Sequence, residues 1–125
     1  MLRSRTIIIS VNKKTGDTFD AILQIPLKLI SDAKISNDGW WSFIGPRGKS
    51  KFKFNENKSL KTLDSQFIYE ESTWNIPIRV VPSGDFSEIL ITLNKPYNLT
   101  DVQFDQRITE IEFAIDIMKS ILESN

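Results

Sequence analysis

A chain of 125 residues has the length of one ordinary domain, able to bury roughly two thirds of its unfolded surface without disulfides or metals. It contains no cysteine and no histidine, which excludes a disulfide scaffold, a thiolate or imidazole zinc site and every mechanism built on an imidazole base; proton transfer is left to carboxylate, Tyr or Lys. Sixteen basic and sixteen acidic residues cancel, so nothing draws the whole molecule to nucleic acid or to an anionic membrane.

No apolar run approaches a membrane span, and the run 7–9 behind Arg3 and Arg5 is too short for a signal peptide. The expectation is a cytoplasmic protein, a single domain over residues 1–125, with no cofactor. Residues 6–13 alternate Ile7, Ile9 and Val11 against Thr6, Ser10 and Asn12, with Ile8 out of step, and predict a half-buried first strand. The period then changes. Thr15 to Thr18 offers an N-cap and an early acid, Phe19, Ile22 and Leu23 share a helical face, and Pro26 is expected to close this short helix. A second short helix is predicted over 27–33.

Asn37-Asp38-Gly39 signals a turn before the aromatic run 40–44. Gly45-Pro46-Arg47-Gly48 then predicts a hairpin to 49–55, where Ser50, Phe52 and Phe54 point one way and Lys49, Lys51 and Lys53 the other. Residues 63–71 read as a strand with Phe67, Tyr69 and Glu71 on one parity. In 74–81, Trp74, Ile76, Ile78 and Val80 are expected to face the core, while Pro77, unable to donate a ladder bond, marks an edge or a bulge. Pro82-Ser83-Gly84-Asp85 turns the chain back, and Ile89, Ile91 and Leu93 continue the inner face.

The tail, 99–123, is the most regular stretch. Phe104, Ile108, Ile111, Ile115, Met118 and Leu122 recur at helical spacing; Thr100 and Gln103 match a capping box, and Leu99 and Phe104 a hydrophobic staple. Val102, Phe113 and Ile117 fall nearly opposite this stripe. A helix on a sheet needs one apolar face, so a homodimer contact through Phe113 and Ile117 is expected.

The order is strand, one or two short helices, about five antiparallel strands and one long helix, an α+β layout with the helix against one face of a curved sheet. This order, from 6–13 through Phe19-Asp20-Ala21-Ile22 and Trp74-Asn75-Ile76-Pro77 to Met118-Lys119-Ser120-Ile121-Leu122-Glu123, resembles the START-like SRPBCC superfamily, the helix-grip fold. The resemblance covers 6–123 and is one of layout. It implies a curved antiparallel sheet gripping the C-terminal helix, often around a cavity for a hydrophobic or amphipathic molecule. Members include lipid carriers, plant hormone and allergen proteins, aromatic polyketide cyclases and activators of a chaperone ATPase.

The aromatic inner surface of Trp41, Phe43, Phe52, Phe54, Phe67, Tyr69 and Trp74, continued by Ile76 and facing Ile111 and Ile115, either lines a pocket or packs as a solid core. The basic residues Arg47, Lys49, Lys51, Lys53, Lys58 and Lys61 have a nucleic-acid-like composition. Strand alternation puts the lysines and the rings on opposite faces, so they read as a solvated or edge-guarding row. Among Asp64, Tyr69, Glu70, Glu71, Arg79, Asp85 and Glu88, only Tyr69 and Glu71 share the inner parity, and a buried Glu71 would have a raised pKa. Three functions are weighed: non-catalytic binding of a small hydrophobic or aromatic ligand between sheet and helix, a protein-interaction domain with a filled core resembling the chaperone-ATPase activators, and an enzyme of polyketide-cyclase type.

Overall fold

The computed structural model describes residues 3–124. The chain runs β1 (Ser4–Val11), α1 (Thr15–Leu23), α2 (Ile25–Leu29), β2 (Lys34–Ile35), β3 (Trp41–Gly45), β4 (Gly48–Asn57), β5 (Thr62–Tyr69), β6 (Ser72–Ile76), β7 (Ile78–Ser83), β8 (Phe86–Asn94) and α3 (Asp101–Glu123). The strands form one eight-stranded antiparallel sheet in the order β1-β8-β7-β5-β4-β3-β2, with β6 paired to β5. With the long C-terminal helix laid across one face, this is the helix-grip fold. No described helix is long and apolar enough to cross a membrane.

Period-two patterning decides which side chains enter the core. Ile9 and Val11 of β1, Ile78 and Val80 of β7, and Ile89, Ile91 and Leu93 of β8 are buried, whereas Ile8 is exposed. β6 and β7 are consecutive strands separated at Pro77, whose carbonyl accepts from Thr92 N; where an edge or a bulge is expected, the chain breaks into two strands. The α1 face of Phe19 and Ile22 closes over the same half of the sheet. Its buried Thr18 hydroxyl donates to Ser87, which donates to the Lys13 carbonyl.

α3 begins as its sequence predicts. Thr100 Oγ1 accepts from Gln103 N at 3.1 Å, and Gln103 Oε1 accepts from Thr100 N at 2.9 Å, so two otherwise unpaired donors are satisfied. Phe104, Ile108, Ile115 and Leu122 are buried along one stripe. The helix backbone runs closest to β1, α1 and α2. Arg3 pairs with Asp105 at 3.1 Å and Arg5 with Glu112 at 3.3 Å along that side; these pairs are half-exposed and orient the helix more than they stabilise it.

The structure departs from several sequence expectations. Lys14, not Thr15, is the N-cap of α1, and its side chain makes no capping bond. Pro26 opens α2 rather than closing α1, because a missing N–H costs nothing in a first helical turn. β4 lies between β3 and β5, so its lysines cover the outer face of an interior strand and guard no edge.

Glu71 is exposed and does not share the inner face. β5 ends at Tyr69, and Glu70 and Glu71, with φ of +49° and +63°, form a two-residue turn that pairs Tyr69 with Ser72. Left-handed backbone costs a non-glycine residue about 1–2 kcal/mol. Glu71→Gly is therefore expected to stabilise the protein by about 0.5–1 kcal/mol after the extra unfolded-state entropy of glycine is subtracted. A urea midpoint that falls in the variant would contradict this turn geometry.

Candidate functional site

Cross-strand register arranges the inner aromatic residues in rows. Trp41, Phe52, Phe67 and Trp74 are successive partners across β3, β4, β5 and β6. The next row is Phe43, Ser50, Tyr69 and Ser72. Ser50, itself buried, thus stands as a small side chain between two large rings.

The rings form a connected series. Trp41 stacks on Phe52 at 6.2 Å, Phe43 on Phe67 at 6.2 Å, and Phe67 tilts against Tyr69 at 4.9 Å. Tyr69 stacks on Trp74 at 6.5 Å and Trp74 on Phe104 of α3 at 5.7 Å. Such contacts contribute about 0.5–1.5 kcal/mol each beyond area burial and fix ring orientation. Where the series reaches α3, at Trp74 and Phe104, it is fully buried. Where it meets β3 and β4, Phe43, Phe52 and Phe67 are only half-buried, because α3 leans toward β1 and away from them.

The space left is a cleft of about 450 Å³, within the range of small-molecule sites. Phe43, Ser50, Phe67 and Tyr69 form its sheet wall, and Arg107, Glu110, Ile111 and Ala114 its helix wall. Leu29, Ile30, Pro46 and Arg47 complete it, and Phe113 and Ile117, 70 % and 39 % exposed, stand at its mouth. A larger hollow of about 650 Å³ on the outer face is bordered by exposed polar side chains, among them Asp38, Ser42 and Lys51.

Of the residues singled out in the sequence, Phe43, Phe67, Tyr69 and Ile111, and Arg47 of the basic row, meet in the cleft. Trp74 and Ile115 are in the core, and Ile76 packs against it. Trp41 is buried beside Phe52, and neither they nor Phe54 reach the cleft. Glu71 is outside it, in the turn. Phe113 and Ile117, read from the sequence as a separate surface, border the cleft. Sequence reasoning missed Ser50, Arg107, Glu110 and Ala114; the last three flank the Ile111 stripe on one side of the helix, a signal that a wheel projection contains.

Charge is concentrated at one border. Glu110 Oε2 accepts from Arg47 Nε and Nη2 at 3.2 and 3.0 Å, tying the β3–β4 turn to α3. Glu70 lies 3.8 Å from both Arg47 and Arg107. Burial pushes the Tyr69 phenol up; Arg107 and Arg47 pull it down, while Glu110 and Glu70 oppose them. A phenol raised in this way keeps its proton near neutral pH and is available as a hydrogen-bond donor. The indole N–H of Trp74 is buried without an acceptor among the described residues.

No family profile matches the chain. No curated protein matches it in sequence. Solved structures do match in shape. Mll3558 from Rhizobium loti superposes with a TM-score of 0.75 at 12% identity, covering 98% of both chains. Ara h 8.0201 gives 0.71 at 11% identity with complete coverage of both. The Aha1 dimer from Colwellia psychrerythraea gives 0.69 at 17% identity, over 98% of this chain and 97% of that one. These similarities show the fold, the helix-grip fold that the layout resembled.

Proposed function

We propose that this chain is a cytoplasmic, single-domain, non-enzymatic binding module that holds a small hydrophobic or aromatic ligand in the cleft between β3–β5 and α3. The observation that carries this reading is the 450 Å³ space itself, walled by half-buried Phe43 and Phe67 on one side and Ile111 on the other. A filled core, as the protein-interaction alternative requires, would have covered these rings with α3. The polyketide-cyclase-type reading has less support: the carboxylate at the border, Glu110, is engaged by Arg47, and the Tyr69 phenol holds its proton.

The test is a titration of purified protein with N-phenyl-1-naphthylamine, an uncharged apolar dye that brightens when removed from water. Saturable binding with one site per chain is expected. No saturable binding in a protein that unfolds cooperatively would overturn the reading. Native mass spectrometry of the same sample reads the homodimer expectation. Phe113 and Ile117 form the exposed lip of the mouth, and a second copy seated on them would be released by Phe113→Asp.

A further inference from the structure

Resting on the cleft reading, the state of one side chain identifies the class of ligand. Arg107 lies one helical turn before Ile111 on the cleft side of α3, and its side chain is only 12 % exposed. Among the described residues its guanidinium makes no hydrogen bond. Its one ion-pair partner, Glu70, is 3.8 Å away, beyond hydrogen-bonding distance, and equally close to Arg47. Glu110 is already engaged by Arg47 through two donors. Arg47 thus has its own counterion, and Arg107 has half a share of a distant one.

A guanidinium carries five donors in a planar fork and stays charged at any accessible pH, so removing it from water without acceptors is costly. Its nitrogens are not sealed, since the fully enclosed unpartnered side-chain atom among the described residues is Trp74 Nε1. The open space that Arg107 borders is the cleft. Tyr69, a second donor without a protein acceptor among the described residues, lines the same space. The remaining wall of Phe43, Phe67 and Ile111 is apolar.

We infer that the cleft takes an amphipathic acid, an apolar or aromatic body bearing one carboxylate, and that Arg107 binds the head group while the Tyr69 hydroxyl donates to it. A carboxylate matches the guanidinium fork with two parallel bonds. The body would lie against Phe43 and Phe67.

The test displaces N-phenyl-1-naphthylamine with matched acid and alcohol pairs, 2-naphthoate against 2-naphthalenemethanol and dodecanoate against dodecanol. In the wild type the acid of the preferred pair should displace the dye about tenfold better than its alcohol. Which pair shows the preference distinguishes an aromatic from a fatty acid. Arg107→Gln should bring acid and alcohol within about twofold of each other, each displacement being read against that variant's own dye affinity. Arg79→Gln, outside the cleft on the outer face, should retain the preference. If Arg107→Gln does not fold, Arg107→Lys serves instead and should lose most of the acid preference, because an ammonium cannot make the paired contact. Absence of dye binding in the wild type would overturn the cleft reading itself. Dye binding with equal displacement by acid and alcohol, or an acid preference that survives loss of Arg107, would overturn this inference alone.

Discussion

Replacing Phe104 by alanine is expected to cost about 3–5 kcal/mol of folding stability, a large part of the 5–15 kcal/mol that holds a typical domain together. Phe104 is fully buried in the first turn of α3, stacked on Trp74 at 5.7 Å and covered by the Arg3 guanidinium at 5.3 Å from the ring centre. Its removal leaves a void between two elements that are each fixed elsewhere, α3 by its buried Ile108, Ile115 and Leu122 and β6 by its pairing with β5, so the site cannot collapse to fill it. Ile111→Ala, two turns along the same helix, is expected to cost less than about 2 kcal/mol. That side chain is only partly buried and borders the cleft, so truncation enlarges a cleft instead of creating a cavity. Urea unfolding of the two variants measures the contrast. Equal large losses would mean that the helix packs as tightly over β3–β5 as over β6–β8, and the cleft would have to be abandoned.

That contrast reflects a division within one sheet. Under α1 and the start of α3, the rows from β5 to β8 and β1 are closed by Phe19, Leu63, Trp74, Ile89, Leu93 and Phe104, all essentially inaccessible. Toward β3 and β4 the same kind of aromatic row is left partly uncovered. One half of the inner face is thus packed core, and the other borders the cleft.

What could be read from the sequence were the features set by local periodicity. The tail stripe and the Thr100–Gln103 box specify α3 almost to the residue, because helix spacing and capping are short-range. The inward sets Trp74, Ile78 and Val80, and Ile89, Ile91 and Leu93, follow from strand alternation alone. Alternation alone puts Glu71 on the wrong face because the turn at 70–71 has no glycine or asparagine to announce it; two glutamates take the left-handed positions instead. The cleft was only partly legible for a different reason. Whether Phe43 and Phe67 are covered depends on which edge α3 leans toward, and that depends on Arg3, Arg5 and α2, distant in sequence from the rings. Ser50 gains its meaning only from register, which places a small side chain between Phe43 and Tyr69.

Ser50 is consequently the position from which the cleft can be closed. Its hydroxyl donates to the Gly48 carbonyl at 3.1 Å, and a Cβ at Gly45 would lie 3.0 Å from that hydroxyl and 3.4 Å from the Phe43 ring, so the hydroxyl and the ring rest against the bare face of Gly45. Ser50 lines the cleft, and in Ser50→Leu the added carbons are expected to extend into it. The lost hydrogen bond, about 1 kcal/mol, is offset by new apolar burial, and net stability is expected to stay within about 1–2 kcal/mol of the parent. Dye affinity should fall by about tenfold or more, the equivalent of 1.4 kcal/mol or greater. Ala114→Trp approaches the same space from the helix wall at an exposed position, where misfolding is not a concern, and should weaken the dye in the same way. If both variants fold and bind the dye as tightly as the wild type, the ligand lies elsewhere on the protein, and the serine gap between Phe43 and Tyr69 is a packing feature with no part in binding.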